Sequence, residues 1–436
     1  MPKITIIGGA SAFTDSLVRD FLSLDLPSGT LGLVDIDRKR LELASKSVKK
    51  IIEASGKNWT LEASTDRTKL LPGTDYIINT IEVSGMQTVE LDNDIPLKYG
   101  VDQCIGDTIG PGGLFKAMRT IPVWLEILRD AEKLCPKAQV LNYTNPMCMI
   151  TLAGLRATSM KIVGLCHSVQ GTGRGLAKVA GIPYEEMEWE CAGINHMAWF
   201  TKLEHCGKDL YPILRKRCKE EEIYEKDPVR WDIMNHFGYF VTESSGHFSE
   251  YVPYYRKRAD LIKKHCRDGY LGGTSFYRNM WPGARARRDE HRKKIIAGTE
   301  KIEFKKSVEY ASVIIEAMET GKPAVIHGNV VNTGLIDNLP QGGCVEVACL
   351  VDYNGLTPTK YGKLPEQVAA LCRSNMNVFE LGVQAALNED KEAFYYAMQL
   401  DPLTAAVLSP GEIRRMTDEM IEAEKKYIPR FLSRKK

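Results

Sequence analysis

Cys166 and His196, separated by 30 positions, are among the side chains in this sequence whose types could do chemistry. His167 stands beside the thiol, and Asp107, Thr108, Asn142 and Asn145 supply carboxylate, hydroxyl and amide groups in two further loops. A thiolate, an imidazole and a few oxygens suit a borderline divalent cation. The spacing lacks the tight ligand pairs of a structural zinc site. Each residue also has an ordinary role open to it. Cys166 can be a buried thiol at a strand end, His196 a polar residue beside a core strand, His167 a loop residue and Asp107 a turn-former.

These residues must be brought together by the elements that precede them. Lys3–Ile7 is an apolar run that ends at Gly8-Gly9, followed by a helical pattern over Phe13–Leu22. Strand, glycine turn and helix form a site where a pyrophosphate meets backbone N–H groups at a helix N-terminus. The turn reads Gly8-Gly9-Ala10-Ser11, without a full GxGxxG, so a Cβ must fit at Ala10. A second strand, Leu31–Val34, ends in Asp35, placed to hold ribose hydroxyls and to repel a 2′-phosphate, which favours NAD over NADP. Further strands are predicted at Asp75–Thr80, Gln139–Tyr143 and Lys161–Leu165, with helices at Arg38–Glu53, Gly113–Lys133 and Pro146–Arg156. The alternation predicts an α/β fold: a Rossmann-like, doubly wound parallel sheet. Ligands of such sheets sit beyond the carboxyl ends of the strands, where Asp107, Asn145 and Cys166 emerge. Gly193-Ile-Asn195-His196 precedes a strand-like run, Met197–Leu203.

The length of 436 residues calls for two packed domains. The first, 1–190, is expected to bind the dinucleotide. The second, 191–436, is expected to be a mixed α+β substrate-binding, metal-completing and oligomerisation domain. With 58 basic and 56 acidic residues the net charge is only +2, which gives no global attraction to nucleic acid or a membrane surface. The basic stretch Ala284–Lys293 reads as a solvated helix face. No apolar run reaches bilayer length, and the start predicts no export signal. Eleven cysteines without CxxC pairs predict free thiols and a cytoplasmic protein.

An ordered series of motifs goes further. Asp107-Thr-Ile-Gly-Pro-Gly-Gly113, Asn142-Tyr-Thr-Asn-Pro-Met147, Gly164-Leu-Cys-His-Ser-Val-Gln-Gly-Thr172 and Ala192-Gly-Ile-Asn-His-Met197 resemble the motifs of glycoside hydrolase family 4 in order and spacing. The likeness continues through Gly238–Ser245, His247–Tyr251, Gly334–Gly342 and Cys344–Leu350, so it covers nearly the whole chain. Cys166-His167-Ser168-Val169 is similar to the α-galactosidase variant of the motif. The Asn-Val/Ile-Pro of phospho-glycosidases and the Cys-His-Glu of uronidase-like members are not present.

The resemblance implies NAD and Mn²⁺, or another divalent metal, as cofactors. It implies Cys166 and His196 as metal ligands, Asn145 and His167 at the substrate, and Asp107 as the acid that assists the leaving group. The base of some relatives aligns near Ser244, which leaves His247, Tyr251 and Glu250 as nearby candidates. The implied reaction is oxidation at C3 of the sugar, loss of the C2 proton, departure of the aglycone, water addition and re-reduction, with the metal across O2 and O3. Ordinary glycosidases instead set two carboxylates around the bond. The implied partner is a small α-galactoside, with no nucleic acid or membrane, in a homodimer or homotetramer. The alternatives are an α-galacturonidase or other α-glycosidase of the family, a 2-hydroxyacid dehydrogenase using Arg119 as a carboxylate clamp, and an NAD-binding regulatory protein.

Overall fold

Short apolar runs that are buried on both faces build the first half. In the computed structural model, which describes residues 1–434, Ile4–Ile7 and Tyr76–Asn79 are buried throughout. A strand covered on both sides belongs in a parallel sheet with helices above and below. The strands are β1 (Lys3–Ile7), β2 (Ser28–Val34), β3 (Asn58–Ser64), β4 (Tyr76–Asn79), β5 (Gln139–Asn142) and β6 (Lys161–Gly164). They lie parallel in the order 3-2-1-4-5-6, the dinucleotide-binding arrangement that the alternation predicted. Helices α1 (Thr14–Ser23), α2 (Arg38–Ser55), α3 (Met86–Lys98), α4 (Gly110–Leu134), α5 (Met147–Ala157) and α6 (Ser168–Ala180) connect or follow them.

The sheet does not stop at β6. Seven further strands follow in the chain: β7 (Glu188–Ile194), β8 (Met197–His205), β9 (Lys208–Asp209), β10 (Phe240–Val241), β11 (Ala324–Val331), β12 (Cys344–Asp352) and β13 (Gly355–Pro358). All pair antiparallel and extend the sheet as β6-β11-β12-β7-β8-β10, with β13 on β12 and β9 on β8. The join is narrow: Asn329 of β11 faces Gly164 of β6, and Glu346 of β12 faces Gly193 of β7. Position 190 lies inside β7, and one hydrophobic cluster runs from Ile4 to Leu432 across both halves.

Two elements lack a readable signal. Strand β3 is an edge strand with Trp59 as its single buried side chain, and α3 carries Pro96 and polar residues on its buried side. No helix among the described residues is long and apolar enough to cross a membrane. All eleven cysteines are free thiols, and Cys206 alone is exposed.

Candidate active site

Strand ends define the site. After β1 the chain turns at Gly8, whose φ of +86° and closeness to the Thr80 carbonyl (2.5 Å from where a Cβ would lie) exclude a side chain. The N–H groups of Gly8 and Gly9 donate to the Val34 carbonyl, and that of Ser11 to Gly8. Ala10 is fully buried, so its Cβ is accommodated. Its N–H donates to Asp35 Oδ2 at 2.9 Å, while Asp35 Oδ1 accepts from Asp37 N at 3.0 Å. Asp35 thus braces the turn as well as lining the groove beside it. The turn's outward carbonyls are held by arginines. Arg292 donates to both Ala10 and Ser11 carbonyls, at 3.0 and 2.9 Å, and Arg40 adds a bond to Ala10 at 3.1 Å. A trans peptide whose carbonyl is fixed on one side directs the next N–H to the other. Arg292 is fully buried on the helix Phe276–Ala297, so the reading of Ala284–Lys293 as a solvated face holds for Ala286, Arg287, Glu290 and Lys293 and fails at Arg292.

The resulting groove, about 460 Å³, runs past Gly8, Ser11, Asp35, Lys116 and Asn145. It meets a smaller pocket of about 220 Å³. Phe13, Asp107, Tyr143 and Asn145 line both. Cys166, His167, His196, Glu243, His247, Tyr270 and Tyr277 also line the smaller pocket.

Within it, donor atoms of Cys166, His196 and Glu243 lie within 4.8 Å of one another. Cys166 follows β6. His196 occupies the two-residue hairpin between β7 and β8, with φ +62°. Glu243 follows β10 with φ +76°. A left-handed backbone at a non-glycine residue costs roughly 1–2 kcal/mol and persists where the surroundings impose it. Burial lowers the His196 pKa to about 4, so its ring is neutral, and Nδ1 is buried without a partner. Burial raises Glu243, but His196 and His247 outweigh it and keep the carboxyl ionised. Burial and Glu243 push the Cys166 thiol up. A thiol, a neutral imidazole with a free nitrogen and a carboxylate fit a borderline divalent ion. Among the described residues this is the one such grouping.

Glu243 also reaches the other way. Its Oε2 lies 3.5 Å from His196 Nε2 and 3.7 Å from Cys166 Sγ, and its Oε1 lies 3.3 Å from His247 Nδ1. His247 Nε2 points to Asp107 Oδ1 at 3.9 Å. Asp107 accepts from Asn145 Nδ2 at 3.2 Å and from the Thr108 hydroxyl, with Lys116 Nζ 3.7 Å away. Burial raises its carboxyl, but Lys116 and His247 prevail and hold it below its ordinary value. The expected acid is therefore ionised in the resting site. Lys116, 2.8 Å from Glu82, is the buried cation responsible.

Other expectations are redistributed. Tyr251 does not line the pocket. Its ring centroid lies 6.2 Å from that of His196, and burial pushes its unpartnered hydroxyl well up. Glu250 is spent on backbone, accepting from the N–H groups of Cys104, Ile105 and Gly106 in the loop that carries Asp107. Glu250→Ala should cost about 3 kcal/mol in a denaturant titration, since three buried donors lose their acceptor. An unchanged unfolding midpoint would disprove that bracing role. Arg119 is sealed between Asp92 and Glu424 and clamps nothing external. His167 lines the pocket with its ring half exposed and Nδ1 3.2 Å from Glu309. Sequence reasoning passed over Glu243 and Lys116; the one signal was Glu243's place inside the Gly238–Ser245 motif.

Comparison with known proteins agrees with this geometry. The model for "Family 4 glycosyl hydrolase" matches residues 3–182, and that for its C-terminal domain matches 191–404. An α-galactosidase of Bacillus subtilis (strain 168) is 40% identical over 99% of this chain and 100% of its own length. An α-galactosidase of Rhizobium meliloti (strain 1021) is 37% identical over 98% of this chain and 89% of its own. A 6-phospho-α-glucosidase from gut microorganisms, solved in complex with NAD and Mn²⁺, superposes with a TM-score of 0.83 at 22% identity, covering 98% of this chain and 99% of that one. The chain belongs to the family 4 glycosyl hydrolases.

Proposed function

We propose that this chain hydrolyses terminal α-galactosides such as melibiose, with NAD in the long groove and a divalent ion such as Mn²⁺ among Cys166, His196 and Glu243. The observation that carries the reading is the shared wall: Phe13, Asp107, Tyr143 and Asn145 face both groove and pocket, so a sugar ring in the pocket abuts the cofactor's end of the groove. The α-galactosidases at 40% and 37% identity favour a galactoside over a galacturonide. Free, mostly buried thiols fit a reducing, cytoplasmic setting.

When bound, the dinucleotide supplies reversible oxidation at a ring carbon and the ion supplies Lewis-acid polarisation of the adjoining oxygens. The chain's own residues do the rest. Asn145 orients a ring hydroxyl against Asp107. His247 Nδ1 donates to Glu243, which leaves the Nε2 lone pair facing the pocket to take the proton from C2. Glu243 on one side and ionised Asp107 on the other then stabilise the imidazolium. Asp107, ionised at rest, receives from His247 Nε2, 3.9 Å from its Oδ1, the proton taken from C2 and passes it to the departing oxygen. Phe13, Tyr143, Tyr270 and Tyr277 give the pocket its aromatic lining.

The substrate class is tested by release from p-nitrophenyl α-galactoside, α-glucoside, α-galacturonide and their 6-phosphates, with and without NAD and Mn²⁺. Preference for the galacturonide or a phosphorylated sugar would overturn the assignment. His247→Ala should still bind NAD and Mn²⁺ yet lose most exchange of the C2 proton with solvent deuterium. Exchange retained there but abolished in Tyr251→Phe would move the base to the tyrosine.

A further inference from the structure

The helix Phe276–Ala297 carries Tyr277, Trp281, Arg285, Arg288 and Arg292 at successive steps of four, four, three and four, which is one helical face. Tyr277 opens on the pocket, and Trp281, Arg285 and Arg288 open on the dinucleotide groove. Both ends of this stripe are fastened to the site. At the start, Ser275 N donates to the Gln103 carbonyl at 2.7 Å and Tyr277 N to Cys104 at 3.0 Å, in the loop leading to Asp107. At the far end, Arg292 grips Asp15 and the carbonyls of Ala10 and Ser11. The helix is therefore a fixed wall of the groove, facing the turn across it.

Its arginines differ in what they touch. Arg292 has its full set of partners in Asp15 and the two carbonyls. Arg285 faces Asp37 at 3.9 Å, and Arg40, on α2, faces Asp289 at 3.8 Å. Arg288 is half-buried and has neither hydrogen-bond nor ion-pair partner among the described residues, and its burial, then Arg292 and Arg40, disfavour its charge. Of the nearby carboxylates, Asp35 is engaged by the Ala10 and Asp37 N–H groups, Asp15 by Arg292, and Asp289 faces Arg40 at 3.8 Å; the attraction of Asp15 and Asp289 does not offset the burial and the two arginines around Arg288. A partly desolvated guanidinium among like charges is costly unless an anion joins it, and a planar fork suits phosphate oxygens.

We propose that Arg288 binds the bridging pyrophosphate of the dinucleotide, completing from the second half of the chain a phosphate site that the glycine turn and the start of α1 open from the first. The inference rests on the dinucleotide reading above. The turn at Gly8–Ser11 departs from a full glycine fingerprint, and the arginine wall compensates: Arg292 orients the peptide planes and Arg288 supplies the charge.

Calorimetric titration of metal-free protein with NAD, ADP-ribose, NADP and adenosine separates the phosphate sources. Arg288→Met should weaken NAD and ADP-ribose about 10- to 100-fold, since a charge-assisted contact is lost. The same variant should leave adenosine binding and the cofactor-free thermal midpoint unchanged, and Arg288→Lys should recover part of the loss. Added salt should weaken NAD less in the variant than in the parent. NAD and ADP-ribose binding within about twofold of the parent would overturn the proposal. So would a parallel loss of adenosine binding, which marks general distortion, or an effect confined to NADP, which marks the 2′-phosphate. A parent protein that binds no NAD would instead remove the dinucleotide reading, and this inference with it.

Discussion

Protein stripped of NAD and treated with a chelator should fall to background cleavage of p-nitrophenyl α-galactoside, and recover only when NAD and Mn²⁺ are both returned. Asp107 is ionised, Glu250 is consumed by three backbone donors, and Glu243 is turned toward Cys166, His196 and His247. Asp107 and Glu243 both line the pocket and both are ionised, whereas a two-carboxylate glycosidase needs one of its pair protonated. Because the C2 proton must leave first, substrate deuterated at C2 should react more slowly when that step limits turnover. Full activity in well-stripped protein would eliminate the redox scheme, and equal rates on a 2-deoxy or 3-deoxy galactoside would do the same.

The second large effect belongs to the three donors. Cys166→Ser, His196→Ala and Glu243→Ala should each lower Mn²⁺ affinity by at least about 100-fold, more than the loss of an outer-sphere partner produces. NAD affinity should be nearly untouched, because the turn at Gly8 and Asp35 lies elsewhere in the groove. Glu243→Ala carries a further signature. Its second oxygen orients His247, so saturating Mn²⁺ should restore binding without restoring C2 exchange. Near-parental turnover of any of the three at limiting metal would remove that residue from the set.

The parallel half of the fold was legible because each buried strand is a short apolar run that ends in glycine or a polar loop. Boundaries moved by a few residues at most: β2 starts at Ser28 rather than Leu31, and α4 at Gly110 rather than Gly113. The convergence of Cys166 with His196 was legible through family motifs alone, since it depends on β7 and β8 joining the same sheet. Glu243 had no periodic signature. A lone acid among polar residues becomes a donor only through the pairing of β10 with β8 and a left-handed backbone. Arg288 and Arg292 were hidden for a related reason. Their stripe is helical in spacing but made of charge, so a search for apolar periodicity reads it as solvent-facing. Tyr251 is outside the pocket lining, its ring centroid 6.2 Å from that of His196, which its nearness in sequence to His247 does not reveal.

The order in which the sheet can be completed during synthesis follows from its topology. Strands β1 to β6 are contiguous in the chain and can pair as soon as they emerge. The β7–β8 hairpin comes next, yet nothing links it to β6 until β11 and β12 have been made. Until then β6 and β7 present bare edges, which invite pairing with other chains. The separation of Cys166 from His196 is equally unfixed over that interval. The nascent chain thus gains its parallel half early and the pocket of Cys166, His196 and Glu243 late, and a chain cut short before Ala324 is left with open strands and those three side chains apart.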